Sequence, residues 1–225
     1  MIERSKLKVT IIDYKMSNLF SVKNACAYLG INATISSDIK VINKSDALIL
    51  PGVGAFKHAI RNLNKLDLIS PIKESIENGK PFLGVCLGLQ LLFSRSEEFG
   101  TNNGLNIIDG EVRKFKFKKF DGKRIKVPHM GWNKVCSHNR NMWKTSAFHN
   151  LSEDEFYYFI HSYYVVPSDS DIILSNTNYH DQKFCSSIKQ GNILATQFHP
   201  EKSGKVGIKI YSNWFDKILE EKENN

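Results

Sequence analysis

Apolar residues fall along this chain in two rhythms. KVTIIDY (8–14) is β-rich and short, and it predicts a strand. SNLFSVKNACAYLG (17–30) carries apolar residues at helical spacing and meets a stop signal at Gly30. NATISS (32–37) predicts a second short strand. DALILPGVGAF (46–56) predicts a third, broken at Pro51-Gly52. Phe56 to Leu66 and Ile69 to Ile76 have helical spacing. KPFLGV (80–85) is apolar throughout after Lys80, as central parallel strands are. LGLQLLFSRSEE (87–98) predicts a further helix. Alternating strands and helices over the first hundred residues predict an α/β fold with a doubly wound, mostly parallel sheet and flanking helices.

The second half changes rhythm. GLNIIDGEVRKFKFKKF, KRIKVPHMGWNKV, EFYYFIHSYYVV, DIILSNTNY, KFCSSIKQ and NILATQFHP are short and β-rich, with turn residues between them. They predict additional antiparallel or mixed strands beside the parallel core. SGKVGIKIYSNWFDKILEE (203–221) predicts a closing amphipathic helix. With no internal repeat and no low-complexity linker, residues 1–225 are expected to form one domain, with its core at about residues 8–219.

Charge narrows the function classes. Lys and Arg number 31 against 23 Asp and Glu, a net charge of +8. The one dense cluster, RKFKFKKFDGKRIK (113–126), alternates with Phe115, Phe117 and Phe120. That alternation predicts a half-exposed strand rather than a nucleic-acid surface. A basic chain suits an anionic substrate or an acidic partner. No apolar run reaches the ~18 residues of a membrane span. The N-terminus lacks the apolar region of a signal peptide. A cytoplasmic location, no nucleic acid and no membrane are the expectations. The cysteines Cys26, Cys86, Cys136 and Cys185 form no C-x-x-C pair, which argues against a zinc site or a disulfide framework.

Chemistry concentrates at LGVCLGLQLL (83–92). G-x-C-x-G between a buried strand and a helix is the cysteine form of the nucleophile elbow. Its glycines permit a strained turn that lifts Cys86 from the carboxyl end of the sheet, where open α/β sheets bind ligands. The helix N-terminus that follows favours a thiolate. A buried structural cysteine is the competing reading. A nucleophile needs a base and a group to orient it. His199 and Glu201 lie two apart in QFHPE at the end of an apolar strand, and Pro200 favours an extended His199. The carboxylate can then hold the imidazole in one tautomer. Taken alone, such a pair reads as a surface pair. Pro51-Gly52-Val53-Gly54, between a strand end and a helix start, offers N–H groups for an oxyanion, as does Leu87 just past the cysteine.

In this order, the elbow, the PGVGAF turn and the HPE ending resemble the class I (triad) glutamine amidotransferases. KVPHMGWN (126–133), FIHSYY (159–164) and QFHPEKSG (197–204) narrow the resemblance to the glutaminase subunits of imidazole glycerol phosphate synthases. The resemblance implies a glutaminase that splits L-glutamine with Cys86 as nucleophile, His199 as base and Glu201 as its orienting acid. It implies an oxyanion turn at Gly52 and Val53, and glutamine contacts from Gln90, Ser162 and Tyr163. It implies a heterodimer with a (β/α)8-barrel cyclase in histidine biosynthesis, with Asn18, Met130, Trp132, Asn133 and Lys202 near the interface. No metal and no organic cofactor are implied.

Two stretches depart from the family pattern. DYKMSN (13–18) has Lys15 and Ser17 where glycines are usual, and Tyr179 is followed by His180 rather than glycine. Neither touches Cys86, His199 or Glu201. Three other readings stay open at this point. One is a related glutaminase that feeds a synthase of amidino groups on bacterial surface sugars. The others are a stand-alone γ-glutamyl thiol hydrolase and a binding protein with a decayed site.

Overall fold

The computed structural model describes residues 3–16, 18–116 and 125–224. Its elements run β1 (Val9–Ile12), α1 (Leu19–Tyr28), β2 (Thr34–Ser36), α2 (Ile39–Asn43), β3 (Ala47–Gly52), α3 (Phe56–Lys65), α4 (Ile69–Glu77), β4 (Phe82–Cys86) and α5 (Leu87–Leu91). The chain continues with β5 (Phe93–Ser96), β6 (Asn102–Asn103), β7 (Ile108–Lys114), β8 (His129–Lys134), β9 (Cys136–Ser137), α6 (Arg140–Thr145) and β10 (Phe156–His161). It ends with β11 (Tyr163–Pro167), β12 (Ile173–Tyr179), β13 (Gln182–Gln190), β14 (Ile193–Thr196) and α7 (Gly204–Glu223).

The main sheet has the order β2-β1-β3-β4-β14-β13-β11-β7-β5-β6, with β12 and β9 attached through β13. From β2 to β14 every pairing is parallel. From β14 onward antiparallel pairs dominate. The expected doubly wound core with added antiparallel strands is therefore present. Strand alternation places the core on both faces. Val9, Ile11, Leu83 and Val85 pack with α1 and α7, while Ile12, Leu48, Leu50 and Phe82 pack with α3 and α4. Both faces are covered, so the central strands read as continuous apolar runs. Among the described residues no helix is long and apolar enough to cross a membrane.

Two expectations need correction. The run 87–98 is not one helix. The helix stops at Leu91, and Phe93–Ser96 is a strand parallel to β7. Leu91 and Leu92 carbonyls, which a longer helix would use internally, accept the N–H groups of Leu105, Ile107 and Ile108. Long-range pairing overrides a helical apolar spacing here. EFYYFIHSYYVV likewise divides at Ser162 into β10, which pairs with β8 in a separate two-stranded sheet, and β11, which joins the main sheet. The short helices α2 and α6 carry side-chain caps: Asp38 accepts the Lys40 N–H, and Asn139 accepts those of Asn141 and Met142.

Both departures from the family pattern keep a glycine-like backbone where they are described. Lys15 has φ +66° and His180 φ +55°. Lys15 is further tied to Asp13, whose carboxylate accepts both its N–H (2.9 Å) and its ammonium (2.8 Å). Ser17, and the strand expected through Phe117 and Phe120, lie outside the described residues.

Gly88 shows how tightly the elbow is packed. A Cβ there would stand 1.8 Å from the Leu50 carbonyl oxygen on β3. We expect Gly88→Ala to destabilise the fold by about 3 kcal/mol or more, at the upper end of overpacking effects. Denaturant unfolding checks this, and an unchanged midpoint would contradict the packing described.

Candidate active site

The site is built where β4 ends. Cys86 terminates the strand with φ +55° and ψ −106°, a conformation strained for a residue with a Cβ. The cost is tolerated because neighbours hold it. Gly84 leaves Ala195 and Gly88 close on either side of the turn, where an added Cβ would be 3.0 and 3.1 Å from them. The sulfur is nearly buried. Its polar neighbours include the Ile160 carbonyl at 3.9 Å, the Gln197 side-chain amide at 3.7 Å and the His199 imidazole.

The next strand supplies the histidine. β14 lies parallel to β4, with Thr196 opposite Val85. His199 follows three residues later with extended backbone (φ −100°, ψ 96°), as Pro200 requires. Its Nδ1–H donates to Glu201 Oε1 at 2.7 Å, and both side chains are almost wholly buried, 3% and 2% exposed. That bond fixes the tautomer and leaves Nε2 free for proton exchange with the Cys86 sulfur. Burial penalises the imidazolium, but the Cys86 sulfur and the Glu201 carboxylate outweigh it. His199 is pushed up to about 10. The surface-pair reading of H-x-E does not survive this burial.

A cavity of about 290 Å³ opens over the sulfur, lined by Val53, Leu87, Gln90, Glu98, Ser162 and Tyr163, among others. Its size is at the small end of ligand sites. A larger groove of about 650 Å³ between α1 and α7 meets this constellation only through Glu201, and its described lining includes no cysteine and no histidine. Leu87 opens α5, where first-turn N–H groups have no intrahelical acceptor. The Val53 N–H is different: it donates to the Met16 carbonyl at 3.1 Å. Gly52 packs against the buried, unpartnered Tyr14 hydroxyl, which a Cβ would approach to 2.2 Å.

Gln90 donates to the Tyr163 carbonyl (2.9 Å) and to Gln197 Oε1 (3.0 Å). Behind the cavity lies a buried histidine pair. The Tyr163 carbonyl can only accept, so His161 Nδ1 carries a proton (2.8 Å). His161 Nε2 then accepts from His129 Nδ1 (3.1 Å), and His129 Nε2 accepts from Asn133 (3.3 Å). Burial, with each facing another histidine, pushes His129 down to about 4 and His161 to about 3. This neutral chain braces the bend at Ser162 and the start of β11 at Tyr163.

Of the residues expected at an interface, Met130, Trp132 and Lys202 lie together. Met130 (64% exposed) and Trp132 (56%) project from β8, and Lys202 sits over the Tyr158 ring beside Trp132. Asn18 is exposed at the start of α1. Asn133 alternates to the opposite face of β8 and donates to the Asn178 carbonyl at 2.8 Å. Among the described residues no group of His, Cys, Asp and Glu side chains is arranged to hold a metal ion.

Sequence reasoning gave no role to Glu98, Gln197 or His161. Glu98 fell in the stretch misread as helix. Gln197 was findable: the period-two argument that pairs His199 with Glu201 also puts Gln197 on the His199 side.

Residues 10–218 match the family model described as Glutamine amidotransferase class-I. The chain is 44% identical over 209 residues to the imidazole glycerol phosphate synthase subunit HisH of Syntrophotalea carbinolica, covering 92% of this chain and 99% of that protein. It is also 44% identical to the protein of the same name from Aquifex aeolicus, covering 92% and 96%. Among solved structures, PurLQS from Thermotoga maritima superposes with a TM-score of 0.70 at 17% identity, over 95% of this chain and 99% of that one. The acivicin-bound glutaminase domain of Trypanosoma brucei CTPS gives 0.63 at 16% identity, over 94% of each. These structures share the fold.

Proposed function

The chain belongs to the class-I glutamine amidotransferases, and from that premise we propose that it is the glutaminase subunit of an imidazole glycerol phosphate synthase, working in the cytoplasm with Cys86, His199 and Glu201 as its triad. The observation that carries this reading is the buried His199–Glu201 pair beside a strained, cavity-facing Cys86. The Cys86 sulfur attacks the glutamine carboxamide carbon. His199 Nε2 gives its proton to the leaving nitrogen, and ammonia departs from a γ-glutamyl thioester. His199 then takes a proton from water, which attacks the thioester and releases glutamate. Glu201 keeps Nδ1 protonated throughout.

Leu87 N–H and the Gly52–Val53 turn stabilise the oxyanion. In the free subunit the Val53 N–H is held by Met16. Release of that bond when the partner is loaded couples glutamine hydrolysis to the partner. The partner is a (β/α)8-barrel cyclase, docked on the face that holds Met130, Trp132, Lys202 and Asn18. The experiment is direct. Glutamate release is measured for this chain alone, then with the cyclase of its genome and that cyclase's nucleotide substrate. Strong activation supports the reading. A complex without activation, or high turnover by the chain alone, contradicts it.

Glu98 supplies the substrate's counter-charge. Among the described residues it is the one carboxylate lining the cavity. Burial pushes its carboxyl up, against the opposing pull of the Phe56 N–H, His58 and Lys114. An α-ammonium group bound there keeps it ionised, with Gln90, Ser162 and Tyr163 contacting the rest of glutamine. Glu98→Gln is expected to raise KM about tenfold with kcat little changed, the signature of a lost charge-assisted contact made equally in ground and transition states. Steady-state kinetics in the complex checks this. An unchanged KM places the ammonium elsewhere.

A further inference from the structure

We propose that Gln197 is a positioning residue for the nucleophile, donating a side-chain N–H to the Cys86 sulfur and favouring its thiolate. The proposal rests on the glutaminase reading for its purpose, not for its geometry. Gln197 is fully buried, so its amide orientation is set by its neighbours rather than by water. The logic runs inward from the Tyr163 carbonyl. That oxygen only accepts, so the Gln90 amide nitrogen faces it, at 2.9 Å. The same nitrogen only donates, so the oxygen of Gln197 faces it, at 3.0 Å. The remaining end of Gln197, its NH2, is therefore turned to the sulfur at 3.7 Å. A flipped Gln197 would set two donors against each other.

The sulfur thus stands between two unlike partners. The Ile160 carbonyl at 3.9 Å can only accept, and so suits a thiol. The Gln197 N–H can only donate, and so suits a thiolate. Gln197 tips the balance toward the reactive form and aims it. The relay also joins substrate site to nucleophile. Both hydrogens of the Gln90 amide are used inward, so its Oε1 is left for the cavity. A ligand that moves Gln90 moves the donor on the sulfur.

Other groups act on the sulfur as well. His199, oriented by Glu201, reaches it from the end of β14, and the Tyr14 hydroxyl from the end of β1. Glu98, His161 and Lys202 line the same cavity. All of these stay in place when only Gln197 is changed, so a comparison of variants isolates its contribution.

The test is alkylation of Cys86 by iodoacetamide as a function of pH, read by intact mass. It uses the whole chain in a Cys136→Ser background, because Cys136 is exposed while Cys26 and Cys185 are buried. Gln197→Met keeps the length of the side chain and removes the donor. Its rate near neutral pH is expected to fall about tenfold, the usual weight of one hydrogen bond to a charged group, with the alkaline plateau unchanged. Gln197→Glu, which keeps the shape and cannot donate when ionised, is expected to shift the profile in the same direction above the pH at which its carboxyl ionises. Superimposable profiles in either folded variant overturn the proposal. Should neither variant fold, wild type decides. The Gln197 side-chain ¹⁵N signal moves over the pH range in which Cys86 becomes reactive if the bond exists. A fixed signal overturns it. Iodoacetamide needs neither glutamine nor partner, so failure of the glutaminase reading shows up separately, as absent glutamine hydrolysis in the complex.

Discussion

Cys86→Ala is expected to abolish glutamine-dependent synthesis by the assembled complex, by on the order of a thousandfold or more. Synthesis driven by added ammonia should continue at the wild-type rate. The division follows from where the chemistry lies. In the proposed mechanism the attacking atom is the Cys86 sulfur, and the cavity above it is lined by Glu98, Gln90, His161, Ser162, Tyr163 and Lys202, among others. Removing the sulfur removes the thioester route but leaves the fold nearly intact, since the side chain is small and its contacts with Gln197 and Ile160 are long, at 3.7 and 3.9 Å. The proposed docking face around Trp132 lies on the separate two-stranded sheet. Both activities are measured on one preparation. Loss of both with the complex still assembled would contradict the division of labour.

The second large effect is at Glu201. Glu201→Gln should reduce the glutamine-dependent rate substantially, yet leave it about tenfold to a hundredfold above Cys86→Ala. The carboxylate contributes by holding His199 Nδ1–H at 2.7 Å and by stabilising the imidazolium. An amide of the same shape can still offer an oxygen to Nδ1–H. It lacks the charge, so the raised basicity of His199 falls back. The protonated fraction available to the leaving nitrogen falls with it. Burial sharpens the effect, because no water replaces the lost charge. Equal rates in the two variants would mean that Glu201 does more than orient and charge the base.

Much of this was legible in the sequence because the relevant signals are local. The parallel strands announce themselves as unbroken apolar runs such as KPFLGV, and both faces of β4 are indeed buried. The elbow is legible because G-x-C-x-G has a backbone meaning: Gly88 is required by the Leu50 carbonyl, and Cys86 takes the positive φ. The extended His199 follows from Pro200. What was not legible depends on distant pairing. LFSRSEE has helical spacing, and only β7 and the 105–108 loop turn it into a strand. With that misreading Glu98 was lost, since its direction depends on the strand. Val53 was legible as a turn residue, but not the Met16 carbonyl that holds its N–H. Lys15 and His180 could not be judged from their letters, because the question was whether a side chain can occupy a glycine's conformation, and both do.

The most direct test of the central claim is covalent labelling of the complex with a glutamine-shaped electrophile, read by intact mass and peptide mapping. A single adduct on Cys86, suppressed by excess glutamine and absent from Cys86→Ala, is the result this account predicts. Labelling at another cysteine, or labelling of Cys86 that glutamine does not compete with, would show that the cavity above the sulfur is not where glutamine is split.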